Sequence, residues 1–505
     1  MSTIEIAAVQ KGSVEAGFRH YFSGSWQEPA GSESVDVINP ATEEIIARVP
    51  RATPGEAIRA IESARTAFDE GTWPRLAGNE RARVIRQFAD GLRRSRDRIA
   101  DLVIRQGGCT VDQTRAMQVD DAISLMYRYA ELAERSPIEA VTLGGGPFGG
   151  GVAGIGSTVV TREPAGVVAA ITPFNYPFMM NLQKIGPALA AGCTVVLKPT
   201  EYVCLDAVEI ARILDEETDL PKGAFNLLLG GRADVGEILA SHPGVDQVTF
   251  TGSTQTGRRV MASAAGTLKR VTLELGGKSA NIIFADADLD LALAGDCALV
   301  IRHCGQGCGH LTRVLVEDSI HDQVVERMVA RARTVVVGDP ADPSTEMGPL
   351  VSQAQWDRVA SYIRSGVDEG ATLVYGGKRP PQLEKGFYLE PTIFSDVRND
   401  MTIAREEIFG PVVGVQRFHD AEEAISIAND SIYGLNGGVW SGDLARGLAV
   451  ASRLRTGMIS VNGRGDGGRE YPYGGYKQSG LGREFGLWGY LEYTELKTIK
   501  YTARA

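Results

Sequence analysis

Residues 245–252, VDQVTFTG, run without a break into STQTGRRVMASAAG (253–266). A short β-branched run that stops at a glycine and passes into a helical pattern reads as a strand feeding a helix. The turn between them, Gly-Ser-Thr-x-x-Gly, leaves backbone N–H groups and the positive end of a helix dipole facing a phosphate, with Gly252 permitting close approach and Ser253 adding a hydroxyl donor. It departs from the usual G-x-G-x-x-G fingerprint, so alone it stands equally well for a plain helix cap. Upstream, the apolar runs GVVAAI (166–171), CTVVLKP (193–199) and GAFNLLLG (223–230) alternate with FMMNLQKIGPALAAG (178–192), CLDAVEIARILDEE (204–217) and RADVGEILASH (232–242). Continuous hydrophobic strands between helices indicate parallel βαβ units buried on both faces, hence an α/β fold.

A second α/β set follows over 273–462, with SANIIFA, RVLVED and MISVN as strands. Before the first set, PGEAIRAIESARTAFDE (54–70) and NERARVIRQFADGLRRSRDRIADLVIRQ (79–106) have the spacing of successive amphipathic helices with solvated charged faces. The tract GGGPFGGGVAGIG (144–156) marks a connection, and the strand pattern after it, STVVTREP, reads as an excursion from the first domain. The tail LEYTELKTIKY (491–501) alternates like an edge strand that needs a partner.

At 505 residues the chain exceeds what one core usually supports, and 43% hydrophobic with 23% charged residues is an ordinary globular composition. A net charge of −11 argues against a nucleic-acid surface, which needs a concentrated basic face. Six scattered cysteines argue against a disulfide scaffold and for a reducing cytoplasm. No run reaches membrane-spanning length, and the first residues lack the pattern of an export signal. His303, Cys304, Cys308 and His310 superficially resemble zinc ligands, but structural zinc sites bring paired ligands from two segments and no second pair exists, so no metal is expected.

Several residues stand out chemically. Cys308, in RHCGQGCGHLTR (302–313), is a thiol between glycines; it reads as an accessible nucleophile or as a small packing residue. Glu274, in LELGGKSAN (273–281), is a carboxylate between leucines at a strand end, suited to a general base by its raised proton affinity or to a structural ion pair. Asn175, in ITPFNYPFMM (171–180), is an amide in an apolar segment, a turn-former or a donor aimed at a reacting oxygen. Lys198 and Glu201, in VVLKPTE (195–201), lie just past a strand's carboxyl end, where they could hold the hydroxyls of a ribose or stand as surface charge.

Taken together and in order, FTGSTQTG, LELGGKSAN, GQGCG, EEIFGPV (406–412) and PYGGYKQSGLGRE (472–484) resemble the aldehyde dehydrogenase superfamily over nearly the whole chain. The resemblance implies a Rossmann-like cofactor domain (1–143 and 164–272), an α/β catalytic domain (273–485) and a β oligomerisation arm (144–163 and 486–505), assembled as a homodimer or homotetramer. It implies Cys308 as nucleophile, Asn175 with the Cys308 N–H as oxyanion hole, Glu274 as the base for thioester hydrolysis and Lys184 on the proton path. For NAD, with NADP less favoured, it implies contacts from Thr172, Pro173, Lys198, Glu201, Gly252, Ser253, Gly276, Glu407 and Phe409. The aldehyde pocket falls to Tyr176, Met179, Gln183, Gly307, Gly309 and Tyr473.

The sequence departs from the common pattern at His303, where many members carry Asn, at Cys304, and at the Gly-rich loop 463–475. Gly307 and Gly309 beside the nucleophile suggest an open tunnel for a bulky apolar aldehyde. The alternative, that Arg464 or Arg469 folds inward to select an acidic semialdehyde, is disfavoured because charged residues in such loops are usually solvated. Glu274 counts against a CoA-acylating enzyme, and the retained set Cys308, Asn175, Glu274, Glu407 and Lys198 against a non-catalytic structural member.

Overall fold

A computed structural model describes residue 14 and residues 16–135, 137–140, 154–294, 298–463 and 469–504. Most of the glycine tract 144–156 and of the loop 463–475's Gly-rich core (464–468, with Arg464) lies outside the described residues.

The apolar runs become Val167–Ile171, Thr194–Lys198, Phe225–Leu227 and Gln247–Thr251, all wholly buried and all but the third five residues long. They belong to an eight-stranded sheet whose order is Gly480–Leu481, Arg270–Glu274, Gln247–Thr251, Val167–Ile171, Thr194–Lys198, Phe225–Leu227, His20–Phe22 and Ser25–Gln27. The parallel strands start near the middle at Val167–Ile171, build outward to one side, where the earlier antiparallel hairpin of His20–Phe22 and Ser25–Gln27 closes the edge, and then return to add Gln247–Thr251 on the other. That reversal is a topological switch point, the place where open α/β sheets leave a crevice. The parallel register pairs Ile171 with Lys198, Phe250 with Ile171 and Thr251 with Glu274, so these carboxyl ends are level.

The first helix starts where its cap dictates. Thr53 accepts from the Glu56 N–H while Glu56 reaches back to the Thr53 N–H, with Pro54 at the first helical position of Pro54–Asp69. Gly78–Arg94 and Arg96–Gly107 follow as the spacing predicts, and Asp121–Ala133 comes after them. Between Val111–Gln113 and Asp121–Ala133 the helix widens to π geometry over Thr114–Asp120, which the sequence pattern does not reveal.

The second sheet has the order Thr372–Tyr375, Thr392–Ser395, Val412–Phe418, Arg313–Glu317, Ala280–Ile283, Gly437–Trp440 and Ser460–Val461, parallel except for its first pair. Residues 275–279 are all that separates the carboxyl end of Arg270–Glu274 from the amino end of Ala280–Ile283. The loops entering Arg313–Glu317 and Val412–Phe418 carry Cys308 and Glu407. The amino ends of one sheet thus meet the carboxyl ends of the other, and the candidate residues collect at that junction.

Gly154–Pro164 is the central strand of a third sheet, paired antiparallel over its whole length with Thr494–Arg504 and with Ile138–Ala140 on its other side. The tail, which alternates like an edge strand that needs a partner, finds one in Gly154–Pro164 of the same chain. The outer edges of this arm are the tail strand and Ile138–Ala140, the latter within the span assigned above to the first domain. Gly480–Leu481, within the span assigned to the second, pairs with Arg270–Glu274 of the first sheet.

Candidate active site

Cys308 lies in a cavity of about 990 Å³ walled by Tyr176, Met179, Gln183, Gly307, Gly309 and Tyr473, all six of the pocket residues expected from the sequence. Its Sγ is 3.4 Å from the Tyr473 hydroxyl. Burial pushes the thiol up to about 12; the Tyr473 hydrogen bond acts against that, and the nearby Glu407 and Glu274 carboxylates reinforce it. A thiol so placed needs a base before it can attack.

The turn that delivers Cys308 is strained. His303 and Cys304 both have left-handed backbones (φ 48° and 52°), and Gly305 continues the turn at φ 71°. A Cβ on Gly305 would meet the Gly410 carbonyl oxygen at 2.0 Å, so only glycine fits. Gln306 clamps the turn by donating to the His303 carbonyl (3.0 Å) and accepting from Val351 N–H (2.9 Å), and the Gln113 amide oxygen accepts from His303 N–H (3.1 Å). His303 is buried with neither ring nitrogen hydrogen-bonded, and burial brings its pKa down to about 3.

The space beside Gly307 is not open. A Cβ there would lie 2.7 Å from His310 Cδ2 and 2.9 Å from the Tyr176 hydroxyl, so the glycine admits His310 and leaves no extra volume for substrate. At Gly309 a Cβ would make ordinary contact, 3.4 Å from the Tyr473 hydroxyl. Met180, Trp440 and Tyr471 also line the cavity. Arg469 is also turned into this wall, contrary to the expectation of a solvated side chain: its guanidinium stacks 4.8 Å from the Phe485 ring centroid.

Glu274 stands behind the nucleophile. It is buried with both carboxylate oxygens lacking a hydrogen-bond partner, and its proton affinity is raised well above the usual range, by burial first and by Glu484 second, with Lys184 and Arg483 opposing. Lys184 Nζ is fully buried, 2.7 Å from Glu484 Oε1 and 3.1 Å from Thr249 Oγ1. Gln183 donates to the other Glu484 oxygen. Glu484 was missed in the sequence reading, although it ends the quoted stretch 472–484. Asn175 is buried between Val167–Ile171 and the helix Pro177–Ala191, which begins two residues later.

At the level carboxyl ends, Thr172 N–H donates to the Lys198 carbonyl (3.1 Å), with Pro173 partly exposed beside it. Burial lowers Lys198 to about 8 against the pull of Glu201. Glu201 is held by Arg51, 2.6 Å away and 150 positions earlier, a partner no local pattern could show. Ser253 caps the helix Thr254–Ala264 by accepting from Thr256 N–H (3.2 Å), and Gly252 is needed because a Cβ would lie 2.5 Å from the Phe250 ring. Glu407 accepts from Gly277 N–H (3.0 Å), is pushed up to about 7 by burial, and packs so closely on Gly276 that a Cβ there would meet its Oε2 at 2.3 Å. A Cβ on Gly277 would strike the Cys308 carbonyl oxygen at 2.4 Å, so the loop joining the two sheets is pressed against the nucleophile's backbone. Phe409, at φ 64°, meets Phe174 edge-on at 5.7 Å between centroids. Among the described residues no group of three or more His, Cys, Asp or Glu side chains is placed to hold a metal ion.

A switch-point crevice with a phosphate-type helix cap, facing a thiol backed by a buried carboxylate, defines a nucleotide-dependent enzyme of carbonyl chemistry. The profile of the Aldehyde dehydrogenase family matches residues 26–499. A betaine aldehyde dehydrogenase of Bacillus subtilis (strain 168) is 42% identical over 95% of this chain and 96% of its own length. A 3-succinoylsemialdehyde-pyridine dehydrogenase of a Pseudomonas species is 43% identical over 95% of this chain and 97% of its own. The crystal structure of betaine aldehyde dehydrogenase from Staphylococcus aureus in complex with NAD+ superposes with a TM-score of 0.91 at 38% identity, covering 96% of this chain and 95% of that one. The chain belongs to the aldehyde dehydrogenase family and is an oxidoreductase that converts an aldehyde to the carboxylic acid.

Proposed function

We propose NAD-dependent oxidation of an extended aldehyde through a thioester on Cys308, with water as the acyl acceptor. The observation that carries this reading is Glu274: among the described residues its two buried carboxylate oxygens have no hydrogen-bond partner and no ion pair, and the group has every reason to hold a proton. Cys308 transfers its proton to a base and its sulfur bonds to the aldehyde carbon, giving a thiohemiacetal whose alkoxide is met by Asn175 and the Cys308 N–H. NAD, when bound, accepts the hydride from that carbon, leaving the thioester. Glu274 then takes a proton from water as its oxygen attacks the thioester carbon; the C–S bond breaks, the acid leaves and the thiol is regained. Lys184 and Glu484 set how readily Glu274 gives up that proton.

The residues present fit the cofactor. Gly252 keeps the phosphate turn free of a side chain, Ser253 caps the helix behind it, Lys198 and Glu201 stand at the ribose position, and Glu407 with Phe409 flanks the loop pressed on Cys308. Fixed by Arg51, Glu201 presents a carboxylate that a 2′-phosphate would meet, which supports NAD over NADP. The relatives are named for betaine aldehyde and for a pyridine-bearing semialdehyde, which supports a substrate larger than acetaldehyde. So does a cavity walled by Tyr176, Met179, Trp440, Tyr471, Tyr473 and Phe485.

Among the described residues no helix is long and apolar enough to cross a membrane. We further propose a cytoplasmic homodimer or homotetramer in which the outer edge of Thr494–Arg504 pairs subunits, and a division into cofactor domain, catalytic domain and arm, which the three sheets support. The reading is tested by NADH formation from NAD and an aromatic aldehyde with and without CoA. Turnover to free acid independent of CoA is expected; a requirement for CoA would replace the hydrolytic mechanism with an acylating one.

A further inference from the structure

Arg469 occupies a place a loop arginine rarely takes. Its side chain is only 24% exposed, lies against Phe485, and lines the same cavity as Cys308. Phe485 in turn packs edge-on against Tyr473, whose hydroxyl touches the nucleophile, so the run Cys308, Tyr473, Phe485, Arg469 is one continuous wall leading away from the sulfur. An aldehyde carbonyl at Cys308 directs its other end along this wall.

The guanidinium is poorly matched by the protein. Arg469 makes no hydrogen bond to a described residue, and its Nε is buried without a partner. Its ion pair is with Asp121, whose Oδ2 is 3.8 Å away and whose side chain is 52% exposed, too long and too wet to satisfy a five-donor fork. Stacking on Phe485 fixes the plane of the group, and its donor edge makes no hydrogen bond to any described residue. A planar fork held in this way is suited to a carboxylate, which it can meet with two parallel hydrogen bonds, and it repels a cation.

We propose that Arg469 is a specificity-determining residue and that the aldehyde this cavity takes carries a carboxylate at its far end. The proposal rests on the aldehyde-oxidising reading of Cys308 above and narrows its substrate class. It separates this chain from relatives named for betaine aldehyde and aminoaldehydes, whose substrates by those names carry an amino or quaternary nitrogen. Asp121 also lines this cavity, where it works against the proposed substrate and for a cationic one; its side chain is 52% exposed, so its carboxylate has water to turn to when a substrate carboxylate arrives.

The test is kcat/KM with NAD for three straight-chain aldehydes of similar length: glutaric semialdehyde, pentanal and trimethylaminobutyraldehyde. The semialdehyde is expected to exceed pentanal by ~10-fold or more, and pentanal to exceed the cation. Arg469→Met should cost the semialdehyde ~10-fold, carried by KM with kcat held within about two-fold, and cost pentanal several-fold less. Asp121→Asn should improve the semialdehyde. A wild-type preference for pentanal or the cation, or an equal loss on all three substrates in Arg469→Met, overturns the proposal while leaving the family chemistry standing. Failure of the wild-type enzyme to oxidise any of the three or an aromatic aldehyde overturns both.

Discussion

The Tyr473 hydroxyl and the Cys308 sulfur are 3.4 Å apart inside a cavity where the thiol is otherwise destabilised as an anion. Burial and two nearby carboxylates hold the proton on sulfur, and the phenol hydrogen bond is the largest influence in the other direction. The resting enzyme therefore carries a neutral thiol that becomes a nucleophile when its proton has somewhere to go.

Tyr473→Phe removes that bond without changing the wall's shape. Alkylation of Cys308 by iodoacetamide at pH 8 should slow by ~10-fold, matching a hydrogen bond of ~1–1.5 kcal/mol to a developing anion. In the wild-type enzyme the alkylation rate should still be rising above pH 9. A plateau near the value of a free thiol would show that burial does not govern the group.

Arg51 and Glu201 set cofactor choice together. With Glu201 pinned at 2.6 Å, kcat/KM for NAD should exceed that for NADP by ~10-fold or more. Glu201→Gln should narrow the gap, and Arg51→Ala should narrow it less, by letting Glu201 rotate away. Steady-state kinetics with both cofactors decides this, and equal use of NADP by the wild-type protein would contradict it.

The Lys184–Glu484 pair predicts two pH shifts of opposite sign. Glu484 raises the proton affinity of Glu274 and Lys184 lowers it. Glu484→Gln should move the acidic limb of the deacylation profile to lower pH, and Lys184→Met should move it to higher pH. Each single change also strands a buried charge or breaks its pair, at ~3–5 kcal/mol of stability, so the double variant should fold better than either. Limbs that move together, or not at all, would detach this pair from Glu274.

Where the sequence was read correctly, the information was local. The runs 166–171, 193–199 and 245–252 are apolar enough to be buried on both faces and glycine-bounded enough to be short, and each became a strand within a residue or two. The cluster around Cys308 and Glu274 was legible because five motifs occur in one order. What stayed hidden depends on residues distant in sequence. Arg51 reaches Glu201, Glu484 reaches Lys184, and His310 fills the space that Gly307 seemed to open, because tertiary packing and not composition decides where a side chain points. The inward turn of Arg469 belongs with these: its partner ring, Phe485, carries no sign of the contact in the sequence.

His303 makes the fold sensitive to acid. Its folded-state pKa of about 3 lies below the ordinary value, so between pH 6.5 and about 3 the unfolded chain binds a proton that the folded one refuses. Stability is full above that window and falls as pH drops through it, by up to ~1.4 kcal/mol per pH unit. His303→Asn, which suits the left-handed backbone and does not titrate, should lower the midpoint of acid unfolding followed by circular dichroism. An unchanged midpoint would mean that the imidazole is protonated in place or that other groups dominate.

The central claim is that Cys308 carries the acyl group and Glu274 removes it. Intact-protein mass spectrometry of Glu274→Gln, quenched during turnover with NAD and an aromatic aldehyde, tests both halves at once. The account predicts a burst of about one NADH per site followed by slow turnover, with the protein heavier by the acyl group and the added mass on the peptide containing Cys308. Steady turnover at the wild-type rate with no mass added to Cys308 would contradict it.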